Sequence, residues 1–178
     1  MFEVECKVRA DHDSVRSRLD RVGCERIESV TQKDTYYDAP DRDFAETDEA
    51  LRVREERAGE ATETLLTYKG PLVDTESKTR EEAETDVTDP KAIRAILDGL
   101  GYEPAATVEK ERDRYSLDGV TVTLDSVEGL GEFVEAELET ETDVEAARER
   151  VQAVLERLGL DPDEGIRTSY LGLLLAEE

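Results

Sequence analysis

The chain has 178 residues, of which 47 are acidic and 23 basic, and its net charge is −24. A surface this acidic repels nucleic acid and anionic membranes, so neither is expected as a partner. Apolar residues make up only 37% of the chain, yet they recur at strand and helix periods, so we expect one folded domain over residues 1–178. The lysine-poor composition resembles that of halophilic proteins. No apolar run is long enough to span a membrane, so we expect a cytoplasmic protein.

The first predicted strand, residues 1–9, alternates strictly between apolar and charged side chains. The apolar face carries Phe2, Val4, Cys6 and Val8, and the charged face carries Glu3, Glu5, Lys7 and Arg9. One interpretation is a sheet with an apolar core and a solvated outer face. The other is a closed barrel whose polar face points inward and whose apolar outer face is covered by helices. This strand alone leaves both open.

The rest of the chain predicts seven more strands and four helices, with a loop over residues 41–50. The strands fall at residues 26–38, 51–54, 63–70, 77–87, 105–117, 120–125 and 133–139. The helices fall at residues 14–22, 90–100, 143–158 and 167–176. We expect the 77–87 strand to be an edge or partly exposed strand, because its apolar face is weak. Asp118-Gly119 is a strong hairpin signal.

The position of the lysines is more informative than their number. The chain has six lysines and seventeen arginines, and four of the lysines fall on predicted strands within alternating charged stretches. These four are Lys7, Lys69, Lys78 and Lys110. We predict that they point into a barrel, whereas Lys33 and Lys91 lie on the surface.

Charged faces on successive strands favour the barrel interpretation, because a solvated acidic surface would not gather its cations in phase. The predicted interior cations are Lys7, Arg52, Arg54, Lys69, Lys78, Arg80, Lys110 and Arg112. The predicted interior acids are Glu3, Glu5, Glu82, Glu84, Asp125, Glu135 and Glu137. Their net charge is about +1, so a divalent cation and a triphosphate of about −4 would together bring the interior near neutrality.

These residue types suit phosphoryl chemistry. Arginine binds phosphate oxygens in a bidentate manner and lysine supplies a point charge, while carboxylates bind Mg²⁺ or Mn²⁺. Transfer at phosphorus depends mainly on positioning and charge neutralisation, so the lack of a histidine on the charged faces is no obstacle. The two cysteines, Cys6 and Cys24, are expected to be free thiols.

Several motifs, taken together and in order, resemble the CYTH superfamily, also called the triphosphate tunnel metalloenzymes, and within it the class IV adenylyl cyclase group. They are Glu3-Val-Glu-Cys-Lys7, Gln32-Lys-Asp-Thr-Tyr-Tyr-Asp38, Leu51-Arg-Val-Arg54, Tyr68-Lys-Gly-Pro71, Lys78-Thr-Arg-Glu-Glu82, Lys110-Glu-Arg112, Glu132-Phe-Val-Glu-Ala-Glu137 and Ser169-Tyr170-Leu171. The resemblance implies an α+β fold, an eight-stranded antiparallel β-barrel with a polar interior flanked by helices.

The resemblance also implies site roles. Phosphate contacts fall to the eight interior cations, and Mg²⁺ or Mn²⁺ binds at Glu3, Glu5, Glu135 and Glu137, to which we add Asp125. We assign catalytic roles to Lys7, Glu5 and Asp125. The expected activity is metal-dependent cleavage of a small-molecule triphosphate. The alternatives are a class IV adenylyl cyclase, which makes cyclic AMP and pyrophosphate from ATP, and a non-catalytic polyphosphate- or nucleotide-binding module. The sequence leaves a homodimer open.

Overall fold

The computed structural model describes residues 1–176. The strands are β1 (Phe2–Arg9), β2 (Arg26–Asp38), β3 (Ala50–Ala58), β4 (Ala61–Leu72), β5 (Lys78–Asp86), β6 (Glu103–Leu117), β7 (Val120–Val127) and β8 (Gly131–Thr140). The helices are α1 (His12–Arg21), α2 (Phe44–Thr47), α3 (Pro90–Gly99), α4 (Val144–Arg157) and α5 (Tyr170–Ala176), with a 3₁₀ turn at Pro162–Glu164. Within this part of the chain, no helix is both long and apolar enough to cross a membrane.

The eight strands close into an antiparallel barrel in the order β1-β5-β4-β3-β2-β6-β7-β8, which confirms the predicted fold class. Register explains why its interior is charged. Glu5 lies opposite Glu137, and Lys7 lies opposite Glu135, on the β1–β8 pair. Directly opposed residues share a face of the sheet, so one in-phase charged stripe on each strand becomes one charged lumen.

The apolar faces point outward and are covered by helices, as the barrel interpretation requires. Val4 and Val8 of β1, with Val122 of β7, belong to one buried cluster with Val151 and Leu155 of α4. All five are at most 2% exposed. The main hydrophobic core therefore lies between the barrel wall and the helices α1 and α4, and the barrel interior is left for polar groups.

The predicted loop at 41–50 and the start of the last helix need correction, and β3 extends beyond the predicted 51–54. The predicted loop at 41–50 contains the four-residue helix α2, whose N-cap Asp43 accepts a hydrogen bond from the Ala45 amide at 2.9 Å. A helix of four residues is too short to show the periodic spacing of apolar residues by which helices are predicted from sequence. The last helix begins at Tyr170 rather than at Arg167.

The large apolar side chains of α3 are mostly not buried. Leu97 is 6% exposed and packs with Tyr37 and Val53, but Ile96 is 54% and Leu100 is 64% exposed. A helix on a convex barrel wall contacts it along a narrow line, so Leu97 is buried, Ile93 is half-buried and the other two positions stay exposed.

The closed barrel also shows that β5 is not an edge strand, because it pairs with both β1 and β4. Its outward side chains Glu81, Ala83 and Thr85 are nevertheless exposed, so the partly exposed strand that we expected is confirmed.

The N-cap of α4 provides a test of fold energetics. The Asp143 carboxylate accepts a hydrogen bond from the Ala146 amide at 2.9 Å. We expect Asp143→Ala to lower the free energy of unfolding by about 1 kcal/mol, measured by chemical denaturation, because that amide loses its partner. Asp143→Ser is the control and is expected to retain nearly all of the stability. Equal losses in both variants would contradict the capping role.

Candidate active site

The barrel encloses a cavity of about 740 Å³, which we call the tunnel. Seven predicted cations line it: Arg52, Arg54, Lys69, Lys78, Arg80, Lys110 and Arg112. The eighth, Lys7, is fully buried, whereas Lys33 and Lys91 are exposed. The structure thus confirms the predicted division of the six lysines into four interior and two surface residues.

Asp34 of β2 organises one group of these cations. Arg54 donates two hydrogen bonds to its carboxylate, at 2.6 and 2.8 Å, and Lys110 donates a third at 3.0 Å. Asp34 is fully buried, and its partners outweigh the effect of burial and hold its pKa well below the ordinary value. Our sequence analysis missed this residue, although Gln32, Asp34 and Tyr36 stand in phase on β2.

A second group forms around Arg112 of β6. Its guanidinium donates two hydrogen bonds of 2.6 Å to Asp125 and one of 3.0 Å to Glu135. The Tyr170 hydroxyl donates to Asp125 at 2.7 Å. Two of the predicted metal ligands, Asp125 and Glu135, are thus engaged in fixing Arg112. Tyr170 was expected only as part of the Ser169-Tyr170-Leu171 family motif, and its contact with Asp125 was not predicted.

The other three predicted metal ligands come together. One carboxylate oxygen from each of Glu3, Glu5 and Glu137 lies within 4.8 Å of the other two. We call these residues the carboxylate cluster. Lys69 contacts Glu3 at 2.9 Å and Lys78 contacts Glu5 at 3.3 Å.

The electrostatics of the cluster fit a cation site. Burial and the neighbouring Glu3 carboxylate raise the pKa of Glu137 to about 8. Without an added cation, a proton therefore offsets part of the negative charge at neutral pH. Several carboxylate oxygens at short range are the donor set that hard divalent cations prefer, so the residues present fit Mg²⁺ or Mn²⁺.

Two of the predicted interior cations have a buried nitrogen without a hydrogen-bond partner in the described part of the chain. Among residues 1–176, neither the Lys7 Nζ atom nor the Arg52 Nε atom has a hydrogen-bond partner. The Lys7 ammonium lies 4.1 Å from the centre of the Tyr170 ring, and burial lowers its pKa to about 8. A buried donor without an acceptor is costly, so these two groups indicate where an anion would be stabilised.

Arg80 differs from the other cations because it is tied to the loop between α2 and β3. It donates to the Asp48 carboxylate at 3.0 Å, to the Asp48 carbonyl at 2.8 Å and to the Gly70 carbonyl at 2.7 Å. Its guanidinium is therefore largely satisfied by the protein, and its predicted phosphate contact would require these bonds to be exchanged.

Comparison with known proteins matches this architecture to one family. The family model of the CYTH domain matches residues 1–170. The Methanocaldococcus jannaschii protein MJ0240, provisionally assigned as an adenylate cyclase, is 38% identical over 176 residues, or 97% of this chain and 98% of that protein. The adenylate cyclase CyaB of Aeromonas hydrophila is 33% identical over 175 residues, or 95% and 86%.

Solved structures agree on the fold. The PH1819 protein of Pyrococcus horikoshii superposes with a TM-score of 0.91 at 42% identity, covering 99% of each chain. The Hippeastrum protein HpAC1, described as having a dominant triphosphatase activity, superposes at 0.69 with 20% identity, covering 99% of this chain and 96% of that one.

Proposed function

Because the chain belongs to the CYTH domain family, we propose that it is a divalent-metal-dependent enzyme that hydrolyses a triphosphate inside its tunnel. The observation that supports this proposal is that clustered carboxylates and clustered basic side chains line one enclosed cavity. The carboxylate cluster and the cations held by Asp34 and Asp125 line the same cavity. A metal-complexed polyphosphate satisfies both, whereas a simple anion or a simple cation satisfies only one.

The chain's own residues then have distinct tasks. Arg54 and Arg112 are each held rigidly by a bidentate carboxylate through Nε and Nη2, so the Nη1 group of each is oriented to donate to a phosphate chain. Arg52 and Lys7 contribute donors that lack a partner within residues 1–176. We propose that Lys7, next to Glu5 along the charged face of β1, orients the attacking water near the terminal phosphorus. Preorganised charge of this kind stabilises the transition state.

Glu3, Glu5 and Glu137 would hold the divalent cation, and the cation when bound would neutralise phosphate oxygens as a Lewis acid. Asp125 and Glu135 remain predicted ligands. In the structure they form ion pairs with Arg112, so we propose that they orient Arg112 and would bind a metal only if these ion pairs were exchanged.

A second candidate is ATP cyclisation, favoured by the names of the two relatives that are 33–38% identical. Cyclisation requires adenine and ribose to be seated so that the 3′-hydroxyl lies in line with the α-phosphorus. Apolar and aromatic side chains such as Phe44, Leu51 and Leu171 do line the tunnel. Hydrolysis is preferred because it requires only the charged groups described above and a positioned water. A third candidate is a module that binds without turnover.

Product analysis separates the three. The protein is incubated at high salt with Mg²⁺ or Mn²⁺ and either ATP or tripolyphosphate. Orthophosphate from both substrates supports hydrolysis. Cyclic AMP with pyrophosphate overturns it in favour of cyclisation, and binding without product release supports the module.

Lys110 provides a test that does not depend on turnover. Burial and the neighbouring Arg54 lower the pKa of Lys110 to about 7, so at pH 8 its amine is mostly neutral. A bound polyphosphate favours the charged form and raises this pKa. We therefore expect tripolyphosphate binding at pH 8 to take up protons, measured by calorimetry in buffers of different ionisation enthalpy. Lys110→Met is expected to bind with less uptake, and equal uptake in both proteins would contradict this assignment.

A further inference from the structure

The barrel wall is incomplete between β1 and β5. These strands pair only through Phe2–Glu5 and Lys78–Glu81, whereas β1 pairs with β8 along its whole length to Arg9. Because β5 begins at Lys78, it has no residues opposite the second half of β1. The open side of β1 is instead approached by the segment after the 3₁₀ turn, where the Ile166 amide donates to the Lys7 carbonyl at 2.7 Å.

This gap holds a second cavity of about 410 Å³, which we call the side cavity. It lies between the loop preceding β5, α4 and residues 162–167, and it is lined in part by Thr75, Gln152 and Arg167. Glu5 and Lys78 line both the side cavity and the tunnel. Their side chains meet at 3.3 Å, so one ion pair stands where the two cavities adjoin.

The charge of the two linings differs. Thirteen acidic and eight basic residues line the tunnel. The side cavity is lined by three of each, and its cations are Lys7, Lys78 and Arg167. The tunnel lining as a whole therefore has more acids than bases, whereas the lining of the side cavity is balanced and presents Lys78 and Lys7 to an anion.

We infer that the side cavity is the exit for the inorganic phosphate or pyrophosphate anion produced in the tunnel. This inference rests on the proposed function, because it requires that a phosphate anion be held at Lys7 and Lys78. The Glu5–Lys78 ion pair acts as the gate. Lys78 exchanges its carboxylate partner for the departing anion and returns to Glu5 afterwards, which needs only side-chain rotation.

The test fills the side cavity from a position outside the binding machinery. Gln152 is a half-buried residue of α4 that lines it, and Gln152→Trp adds a large ring there. Ala153→Trp is the matched control, because this neighbour on α4 is exposed. Thr75→Trp, from the facing loop, repeats the obstruction without changing α4.

The rate constants for binding and release of pyrophosphate with Mg²⁺ are measured by stopped flow. A blocked path slows both rate constants and leaves Kd unchanged. We expect both to fall at least about tenfold in Gln152→Trp and Thr75→Trp but not in Ala153→Trp. With tripolyphosphate, steady-state turnover is expected to fall while the single-turnover rate is retained.

If Gln152→Trp and Thr75→Trp bind and release pyrophosphate as fast as Ala153→Trp does, or if their Kd changes, the exit route is overturned and the proposed function is unaffected. Failure of the unaltered protein to bind pyrophosphate would overturn the proposed function and the exit route with it.

Discussion

Glu137→Gln is expected to lower the turnover of tripolyphosphate at least about a hundredfold without destabilising the metal-free protein. The raised pKa of Glu137, about 8, means that its carboxyl group is largely protonated at neutral pH. A neutral amide therefore reproduces the metal-free state closely. It cannot reproduce the charged ligand that a divalent cation needs. The same loss of turnover is expected for Glu5→Gln, which removes a ligand from the opposed position on β1.

The measurements are the initial rate at saturating tripolyphosphate, its dependence on Mg²⁺ concentration, and thermal unfolding with and without Mg²⁺. Glu139→Gln is the matched control. Glu139 lies two residues further along β8 and lines the tunnel, but it is exposed and is not in the carboxylate cluster. Wild-type activity in Glu137→Gln and Glu5→Gln, or an equal loss in Glu139→Gln, would remove the metal assignment.

Lys7→Met is expected to have opposite effects on activity and stability. The Lys7 side chain is fully buried, and its ammonium lacks a hydrogen-bond partner within residues 1–176. The Tyr170 ring at 4.1 Å compensates only in part. Methionine has a similar length and no charge, so we expect the free energy of unfolding to rise by about 1–2 kcal/mol. Turnover is expected to fall about a hundredfold or more, because a preorganised cation is lost.

Denaturant unfolding and phosphate release measure the two effects on the same preparations. Lys33→Met is the control, because Lys33 is exposed on the outer face of β2. It is expected to change stability by no more than about 0.5 kcal/mol and to leave turnover unchanged. A Lys7→Met protein that is less stable than wild type would show that the ammonium serves the fold. Such a result would contradict its assignment to the substrate.

Much of the fold could be predicted from the alternation of charged and apolar side chains along the strands. The charged stripes on β1, β3 and β6 determined which side chains enter the barrel, because period two leaves no other choice once the strands pair. The hairpin turn at Asp118-Gly119 could also be predicted from its own two residues, and both have positive φ, 53° and 78°. The extent to which α3 is buried could not be predicted from its own residues, because it depends on the curvature of the barrel wall beneath Leu97.

The sequence did not predict which acidic side chain pairs with which basic side chain inside the tunnel. The alternation places Asp34, Asp125 and the carboxylate cluster in one lumen, but it does not say which acid meets an arginine and which meets another acid. Those contacts depend on barrel closure and on stagger between strands far apart in the chain. For the same reason, the approach of Tyr170 to Asp125 had no sequence signal beyond the family resemblance of Ser169-Tyr170-Leu171.

The proposed function requires the tunnel to hold a triphosphate together with a divalent cation. Crystals grown with tripolyphosphate and Mn²⁺ test it most directly, because anomalous scattering locates the metal without reference to the protein. We expect a Mn²⁺ peak bounded by Glu3, Glu5 and Glu137, with the phosphate chain on Arg52, Arg54 and Lys110. A metal outside the carboxylate cluster, or tripolyphosphate bound outside the barrel, would contradict it.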